Sequence, residues 1–354
     1  MSDHVRVAVI GAGRQGARHI ATFQRLEQAR LVAVADPCEA SRRVALTGIP
    51  IREFDDWRRL LDTLAPQLDA VAVASPSDTH YEVARAALEL GLDVLVEKPI
   101  ATTIRDALEL DDLAQRLRRK LMVGHVERFN PAVAKLRALV GEGRLGRIYR
   151  VHGTRIGPSP MRDLNSGVAL DLATHDLDAM EFVLGRRLTR VFADGGSFSH
   201  GYHEDLLTCL LRFEGDVRGL LDVNWLTPEK QRELTVIGDS GMLRASYLTQ
   251  DVWFVESSST SSVAWDELAT IRGDSEGSAI RFALRRVEPM RAELSAFLTC
   301  IVEDTPEPIT ARDGARALAA ALAVLESAGL GVPVRPEALE GVHVLEDAPL
   351  VQVA

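Results

Sequence analysis

The sequence predicts an α/β domain with a doubly wound parallel sheet, followed by an α+β domain with a large, mostly antiparallel, open-faced sheet. Its 354 residues correspond to two domains of about 150 residues each. A composition that is 46% hydrophobic and 26% charged is typical of chains that bury a sizeable core. Short apolar runs alternate with helical patterns in the first third, whereas long strand patterns joined by tight turns dominate after about residue 145. We therefore expect the domains to be residues 1–125 and 126–354.

The predicted strands of the first domain are continuous apolar runs, which is typical of a parallel sheet buried on both faces. Segments with helical periodicity separate these runs, notably residues 14–26 and 78–90. Parallel strands need helical crossovers of this kind, and such crossovers are right-handed. The predicted strands are residues 5–10, 31–35, 70–74, 93–96 and 121–123.

The second domain is predicted to form an antiparallel sheet, because turns of only a few residues join its strand patterns. The predicted strands are residues 147–156, 204–213, 217–226, 231–237 and 242–256, and the predicted helices are near 170–184, 288–303 and 310–328. So few helices leave one face of a broad sheet uncovered. We expect a homodimer or homotetramer that forms through this open face.

Charge and cysteine content exclude several classes of protein. The net charge is −10, and a polyanion partner would require a clustered basic stripe, so nucleic acid is excluded as a partner. A membrane span is excluded as well, because no uncharged apolar run reaches about 18 residues. Three scattered cysteines fit a reducing compartment and form no metal-binding pattern. The N-terminus lacks the pattern of a signal peptide, so a cytoplasmic location is expected.

A glycine-rich turn follows the first predicted strand and opens the first helix. Its sequence is Gly11-Ala12-Gly13-Arg14-Gln15-Gly16, a G-x-G-x-x-G pattern. In this context the glycines permit a tight turn, a close approach to a pyrophosphate, and close packing of helix on strand. The first helical turn, which includes Arg14 and Gln15, offers unpaired N–H groups to the phosphates. The pattern predicts a Rossmann dinucleotide-binding domain.

Asp36 ends the second strand, twenty residues after the last glycine of the turn. A carboxylate there can accept hydrogen bonds from both ribose hydroxyls and would repel a 2′-phosphate, which favours NAD over NADP. An Asp–Pro turn that needs no ligand is the alternative, since Pro37 follows.

Two polar segments, Ser75-Pro76 and Glu97-Lys98-Pro99, follow neighbouring strands of the predicted parallel sheet. Ligands of such sheets bind beyond the carboxyl ends of the strands, so both segments belong where nicotinamide and substrate should lie. Only four of the 41 basic residues are lysines, so Lys98 within such a motif is suggestive of function. Its compact ammonium can donate to a substrate hydroxyl.

A helical segment of the second domain carries Asp171, His175 and Asp178, at positions i, i+4 and i+7. This spacing places the three side chains on one helical face among apolar neighbours. A histidine flanked by carboxylates is suited to acid–base catalysis, because charged partners fix its tautomer and tune its pKa. A structural histidine is the alternative. No spacing of histidines supports a metal site.

These motifs together resemble the Gfo/Idh/MocA family of oxidoreductases. The matching segments are VAVIGAGRQGARH at 7–19, ASPSDTH at 74–80, VEKPI at 96–100 and GVALDLATHDLD at 167–178. The resemblance implies a Rossmann domain, an oligomerising open sheet, and catalysis by Lys98, Asp171 and His175. It places Gly11, Gly13, Gly16, Asp36, Pro76, His80 and Glu97 on the cofactor side. Arg14 and Gln15 in the glycine turn, and Ser75 and Lys98 at the strand ends, are also expected to bind the cofactor.

Within the family, residues 124–131 and 155–162 look most like the UDP-N-acetylglucosamine 3-dehydrogenase branch, whose members oxidise the sugar 3-hydroxyl before a partner aminotransferase acts. The diphosphate of such a substrate would accept hydrogen bonds from Arg128, Asn130, Arg155 and Arg162, beside His175. Alternatively, Arg128 and Asn130 cap the helix that begins at Pro131.

The resemblance implies oxidation of a ring hydroxyl by NAD, with His175 or Lys98 as the proton acceptor and Asp171 as the group that orients them. Other sugar nucleotides, free sugars and inositols stay open as substrates. A non-catalytic NAD-binding regulator is a second possibility, but it would not need the lysine or the histidine. A linear-tetrapyrrole reductase, a further relative, would not need the Asp–His helix.

Overall fold

The structure is a computed structural model that describes residues 4–160, 166–199, 201–257 and 278–339. The chain divides into two compact units, and the first runs up to Gly124 and resumes over Ala296–Ala319. The predicted domains, residues 1–125 and 126–354, differ from this division because residues 296–319 were assigned to the second domain. Residues 296–319 group with the first unit because Thr310 forms a β-bridge with Met122.

The first unit contains a six-stranded sheet, and every neighbouring pair of its strands is parallel. Its order is β3-β2-β1-β4-β5-β6, so the direction of winding reverses between β1 and β4, where Rossmann folds bind dinucleotides. The strands are β1 (Val5–Ile10), β2 (Ala29–Ala35), β3 (Arg52–Phe54), β4 (Ala70–Val73), β5 (Asp93–Glu97) and β6 (Leu121–Gly124). This arrangement confirms the predicted doubly wound parallel sheet.

Local signals in the sequence explain where the helices of this unit begin. The side chain of Asp56 accepts a hydrogen bond from the N–H of Arg58 at the start of α3, and Thr103 caps α5 in the same way. The helices are α1 (Arg14–Phe23), α2 (Glu39–Ala45), α3 (Trp57–Leu64), α4 (His80–Glu89) and α5 (Ile104–Leu117).

The second unit contains an eight-stranded sheet in the order β14-β13-β12-β11-β7-β10-β9-β8. All neighbouring pairs are antiparallel except β7 and β10, which confirms a mostly antiparallel sheet. The strands are β7 (Ile148–Pro158), β8 (Leu188–Gly196), β9 (Leu206–Phe213), β10 (Arg218–Asn224), β11 (Leu226–Gly238), β12 (Gly241–Ser246), β13 (Asp251–Glu256) and β14 (Ala279–Phe282).

Helices α6 and α7 pack against one face of this sheet and cover its apolar core. The helices that follow β6 are α6 (Pro131–Gly141), α7 (Thr174–Leu184), α8 (Pro289–Val302) and α9 (Ala311–Leu330), and a π-helical segment (Ala169–Ala173) leads directly into α7. None of the helices in the described ranges combines the length and the apolar character that a membrane span requires.

The opposite face of the eight-stranded sheet keeps several apolar side chains in contact with solvent. Leu210 is 58% exposed and pairs in register with Phe192 on one side and Leu220 on the other. His152 continues the same row on β7. The predicted open face is therefore present, while the oligomer expected on it stays a prediction.

Candidate active site

The glycine turn between β1 and α1 has the geometry of a dinucleotide-binding turn. A Cβ on Gly11, where φ is +98°, would lie 2.4 Å from the carbonyl oxygen of Ala74. A Cβ on Gly16 would lie 1.9 Å from the oxygen of Gly11, so both positions require glycine. Gly13 instead faces open space, and a Cβ at this position would have no neighbouring atom within 4 Å. This open side, at the start of α1, fits the pyrophosphate of NAD.

The two residues that follow Gly13 differ in what they contact. Arg14 is exposed at the first turn of α1, where a guanidinium can reach a phosphate. The side chain of Gln15 donates to the carboxylate of Glu97, with 2.8 Å between the nitrogen and the oxygen. Gln15 therefore connects the glycine turn to the end of β5.

Asp36 lies half-buried at the carboxyl end of β2 and contacts the glycine turn. Its carboxylate accepts from the N–H of Ala12 at 2.6 Å and from the N–H of Cys38 at 2.8 Å. These bonds hold the carboxylate next to the turn, which is where the adenosine ribose of a dinucleotide lies in this fold.

We expect Asp36→Ser to weaken NAD binding about 10- to 100-fold, because hydrogen bonds to a charged group contribute about 1.5–3 kcal/mol. NADP should bind better than before, since the charge that repels its 2′-phosphate is gone. Fluorescence titration with both dinucleotides measures the two effects. An unchanged preference for NAD in the variant would contradict this role.

His80 connects the segments that follow β4 and β5. Its Nδ1 lies 2.7 Å from the carbonyl oxygen of Pro99, and its Nε2 lies 2.9 Å from that of Ser75. The ring is 1% exposed. The resemblance placed His80 on the cofactor side, but both ring nitrogens already contact the backbone. The side chain therefore braces the two loops rather than facing a cofactor. The hydroxyl oxygen of Ser75 lies 2.7 Å from that of Thr79, within hydrogen-bond distance. Pro76 is exposed.

Glu97 ends β5 and is buried, and Lys98 follows it and is half-buried. The Glu97 carboxylate lies 2.6 Å from Nε2 of His19, which ends the matching segment at 7–19 but was not predicted to be a site residue. Burial by itself would raise the pKa of Glu97, but the hydrogen bonds from His19 and Gln15 and the charge of Lys98 lower it overall. Glu97 is therefore an ionised group that Gln15 and His19 hold inside the first unit, and its expected role on the cofactor side stays a prediction.

Asp171 and His175 are the half-buried polar side chains of a segment whose other polar members are buried. Asp171 belongs to the π-helical segment, and His175 lies in the first turn of α7. Short π-helical segments occur frequently at functional sites. At the start of this segment, the side chain of Glu204 accepts a hydrogen bond from the N–H of Ala169, with 3.0 Å between the two atoms.

Asp178 was predicted to lie on one polar helical face with Asp171 and His175, but it is buried elsewhere in the second unit. Its carboxylate is 3% exposed and accepts two hydrogen bonds from Arg128, at 2.9 and 2.6 Å. Arg128 in turn lies over the ring of Phe182. The polar face that the periodicity predicted is therefore divided: Asp171 and His175 remain accessible, and Asp178 fixes the helix to Arg128.

Arg155 and Asn130 serve the interior of the second unit. Arg155 is 2% exposed and is held between Asp176 and Glu127, with 3.0 Å to the Glu127 carboxylate. Asn130 caps α6 through the N–H of Ala132, which confirms the alternative role as a helix cap. Both side chains lie where a diphosphate cannot reach them, which corrects their expected role as substrate ligands. The fourth expected ligand, Arg162, lies outside the described residues.

Burial and charge shift the pKa values of this internal cluster. Burial would lower the pKa of Arg155, but the two carboxylates raise it overall. Burial raises the pKa of Asp176 in spite of Arg155. Arg232 on β11 pairs in register with Arg155, and burial beside this second guanidinium lowers its pKa. Arg232 was not selected from the sequence, because one arginine among many carries no motif.

No group of histidine, cysteine or carboxylate side chains in the described ranges is arranged to hold a metal ion.

Comparisons with known proteins agree with this geometry. Residues 5–125 match the NAD-binding Rossmann-fold model of the Gfo/Idh/MocA oxidoreductase family, and residues 133–244 match the family's C-terminal domain. The chain is 30% identical over 344 residues to myo-inositol dehydrogenase Hyg17 of Streptomyces leeuwenhoekii, covering 93% of this chain and 99% of that one.

Two further relatives carry different names. The inositol 2-dehydrogenase of Streptomyces avermitilis is 35% identical over 195 residues, which are 54% of this chain and about half (56%) of that relative. The UDP-N-acetylglucosamine 3-dehydrogenase of Acidithiobacillus ferrooxidans is 26% identical over 91% of this chain and 96% of its own length. Its solved structure has a TM-score of 0.79, with 24% identity over 92% of this chain and 97% of that chain. The chain belongs to the Gfo/Idh/MocA family, as an NAD-dependent dehydrogenase of sugar or polyol CH–OH groups.

Proposed function

We propose that this enzyme oxidises a ring hydroxyl of a cyclitol or free sugar, with myo-inositol as the first candidate. The observation that carries the proposal is the burial of Arg155 between Asp176 and Glu127. A nucleotide sugar brings two phosphates that need cationic donors. Of the predicted donors, Arg155 and Asn130 are internal and Arg128 is occupied by Asp178, so the described residues favour a substrate without a diphosphate.

Three side chains are proposed to act on the substrate. When bound, NAD supplies the acceptor for the hydride that leaves the carbinol carbon. His175 takes the hydroxyl proton, and the Lys98 ammonium donates to the same oxygen as negative charge develops on it. Asp171 accepts a hydrogen bond from the imidazole or the substrate and so orients both.

UDP-N-acetylglucosamine is the second candidate, with oxidation at its 3-hydroxyl. Two observations favour it: the likeness along 96% of the Acidithiobacillus enzyme, and the sequence of residues 124–131. Arg162 and Arg232 would then be the residues to bind the diphosphate. On this reading an aminotransferase would consume the 3-keto product.

Steady-state rates of NAD reduction with myo-inositol, glucose and UDP-N-acetylglucosamine distinguish the two candidates. If the first candidate is right, kcat/KM for a free polyol should be at least about tenfold above that for the nucleotide sugar. This ratio corresponds to a difference of about 1.4 kcal/mol in transition-state stabilisation. Mass spectrometry of the product should show the loss of two hydrogens. Preference for the nucleotide sugar would support the second candidate, and reduction with none of the three would contradict both.

We also propose that two or four copies associate through the open face of the eight-stranded sheet. The half-exposed row of Phe192, Leu210 and Leu220 offers a second copy an apolar surface of this kind. Leu210→Arg should shift the sedimentation coefficient toward that of a monomer, because it buries a charge at each contact. Leu330→Arg, at an exposed leucine elsewhere, is the control. An unchanged oligomer in Leu210→Arg would contradict the proposal.

The proposed compartment is the cytoplasm. Cys38, Cys209 and Cys300 are all free thiols, which fits a reducing environment.

A further inference from the structure

In the first unit, the side chains of Gln15 and His19 both contact the carboxylate of Glu97, the residue before Lys98. His19, on α1, is fully buried, and its Nε2 lies 2.6 Å from the Glu97 carboxylate. The same carboxylate oxygen accepts from Gln15, one turn earlier on α1. Glu97 immediately precedes Lys98 on the chain. Two side chains of the helix that begins at the glycine turn therefore hold the carboxylate of the residue before Lys98, whose charge helps to lower the pKa of this carboxylate.

The hydrogen bonds define the state of the pair. The Nδ1 of His19 is buried and has no hydrogen-bond partner in the described part of the chain. A bare ring nitrogen costs less in such a place than a buried N–H without an acceptor, so the proton belongs on Nε2. His19 then donates to an ionised Glu97. The lowered pKa of Glu97, despite its burial, agrees with this arrangement.

Packing leaves Glu97 little freedom to find other donors. A Cβ on Gly124 of the neighbouring strand β6 would lie 3.1 Å from the second carboxylate oxygen. Because Glu97 is only 7% exposed, water compensates little for the loss of a donor to its carboxylate. Burial would then favour its protonated form.

We infer that His19 is a positioning residue for Lys98: through Glu97 it ties the helix of the cofactor turn to the end of β5 and keeps a negative charge beside the ammonium. The inference rests on the proposed role of Lys98 in catalysis. His19 itself touches neither substrate nor cofactor on this account. Without the N–H of the His19 ring, the Glu97 carboxylate takes up a proton. Lys98 then loses the negative charge that stabilises its ammonium form.

The test uses the scarcity of lysine in this chain. Lys98, Lys120, Lys135 and Lys230 are the only lysines, so an amine-reactive acetylating reagent followed by mass spectrometry gives one rate for each. At pH 8 we expect His19→Leu to raise the acetylation rate at Lys98 about tenfold. A nearby opposite charge raises the pKa of an amine by about one unit or more, and only the uncharged amine reacts, so loss of that charge increases the reactive fraction. The other three lysines should keep their rates and serve as internal references.

Three further variants separate positioning from loss of stability. His19→Gln should restore the wild-type rate, because its carboxamide N–H lies as many bonds from the backbone as Nε2. Glu97→Gln should raise the rate as His19→Leu does, since it removes the charge directly. Phe23→Leu leaves a cavity at a fully buried position on α1 near His19, and it removes no contact to Glu97. Because of the cavity it should lower the melting temperature, while the acetylation rate at Lys98 stays unchanged.

An unchanged Lys98 rate in both His19→Leu and Glu97→Gln would overturn the inference. So would an equal rise in Phe23→Leu, which would indicate general loosening of α1. Labelling needs no substrate, so its outcome is independent of whether the enzyme turns over a polyol. If it does, His19→Leu should also lower kcat and shift the pH profile, with the KM for substrate changed little.

Discussion

His175→Asn is expected to lower kcat about 100- to 10,000-fold, which is the usual contribution of a positioned general base. Asparagine keeps a polar side chain of similar size but cannot accept the hydroxyl proton. Lys98→Met should lower kcat in the same range, because it removes the donor to the developing oxyanion while keeping the length of the side chain. Both values come from steady-state rates at saturating NAD.

Binding measurements and a control complete this prediction. NAD affinity should change little in His175→Asn, because the histidine is expected to contact the substrate and not the dinucleotide. His4→Asn, an exposed histidine at the start of the described chain, should keep the wild-type kcat. Wild-type rates in both His175→Asn and Lys98→Met would show that the catalytic roles are wrongly assigned.

Arg155→Met is expected to lower the free energy of unfolding by about 3–5 kcal/mol, the range for breaking one partner of a buried ion pair. The substitution leaves Asp176 and Glu127 buried without their guanidinium. Urea titration followed by circular dichroism measures the loss. Arg43→Met removes an exposed arginine that pairs with Glu39, and should leave the unfolding midpoint nearly unchanged.

The loss in Arg155→Met should depend on pH. Burial already raises the pKa of Asp176, and removing the guanidinium raises it further. A carboxyl group with a raised native pKa holds its proton more tightly in the folded state, so its contribution favours folding at low pH and declines as the pH rises. The deficit should therefore be larger at pH 8 than at pH 5. A deficit that grows toward acid would contradict this explanation.

The fold was predictable because its signals are local. Continuous apolar runs and helical periodicity identified five of the six strands of the parallel sheet, and the glycine pattern fixed where β1 meets α1. The short edge strand β3 was missed, because two of its three residues are charged and exposed. What the patterns could not predict is which distant segments pack together. Residues 296–319 follow β14 in sequence but join the first unit, because Gly314 lets the helix approach Val123 and Ile100 closely.

The candidate site was predictable where a motif carries its own geometry, as at Gly11 and Gly16. Charged side chains were harder, because their burial depends on partners far away in sequence. Arg155 reads as one more arginine on a strand, yet it pairs with residues 28 positions before and 21 positions after it. His19 lacked a signal for a similar reason: its partner, Glu97, lies 78 residues further on.

The most direct test of the account is a single-turnover experiment with NAD and myo-inositol deuterated at every ring carbon. Direct hydride transfer predicts that deuterium appears on the nicotinamide, that the reduction is slower than with unlabelled substrate, and that the product is a ketone. Wild-type enzyme that binds NAD but transfers no deuterium from inositol, glucose or UDP-N-acetylglucosamine would contradict the claim that this chain oxidises a ring hydroxyl.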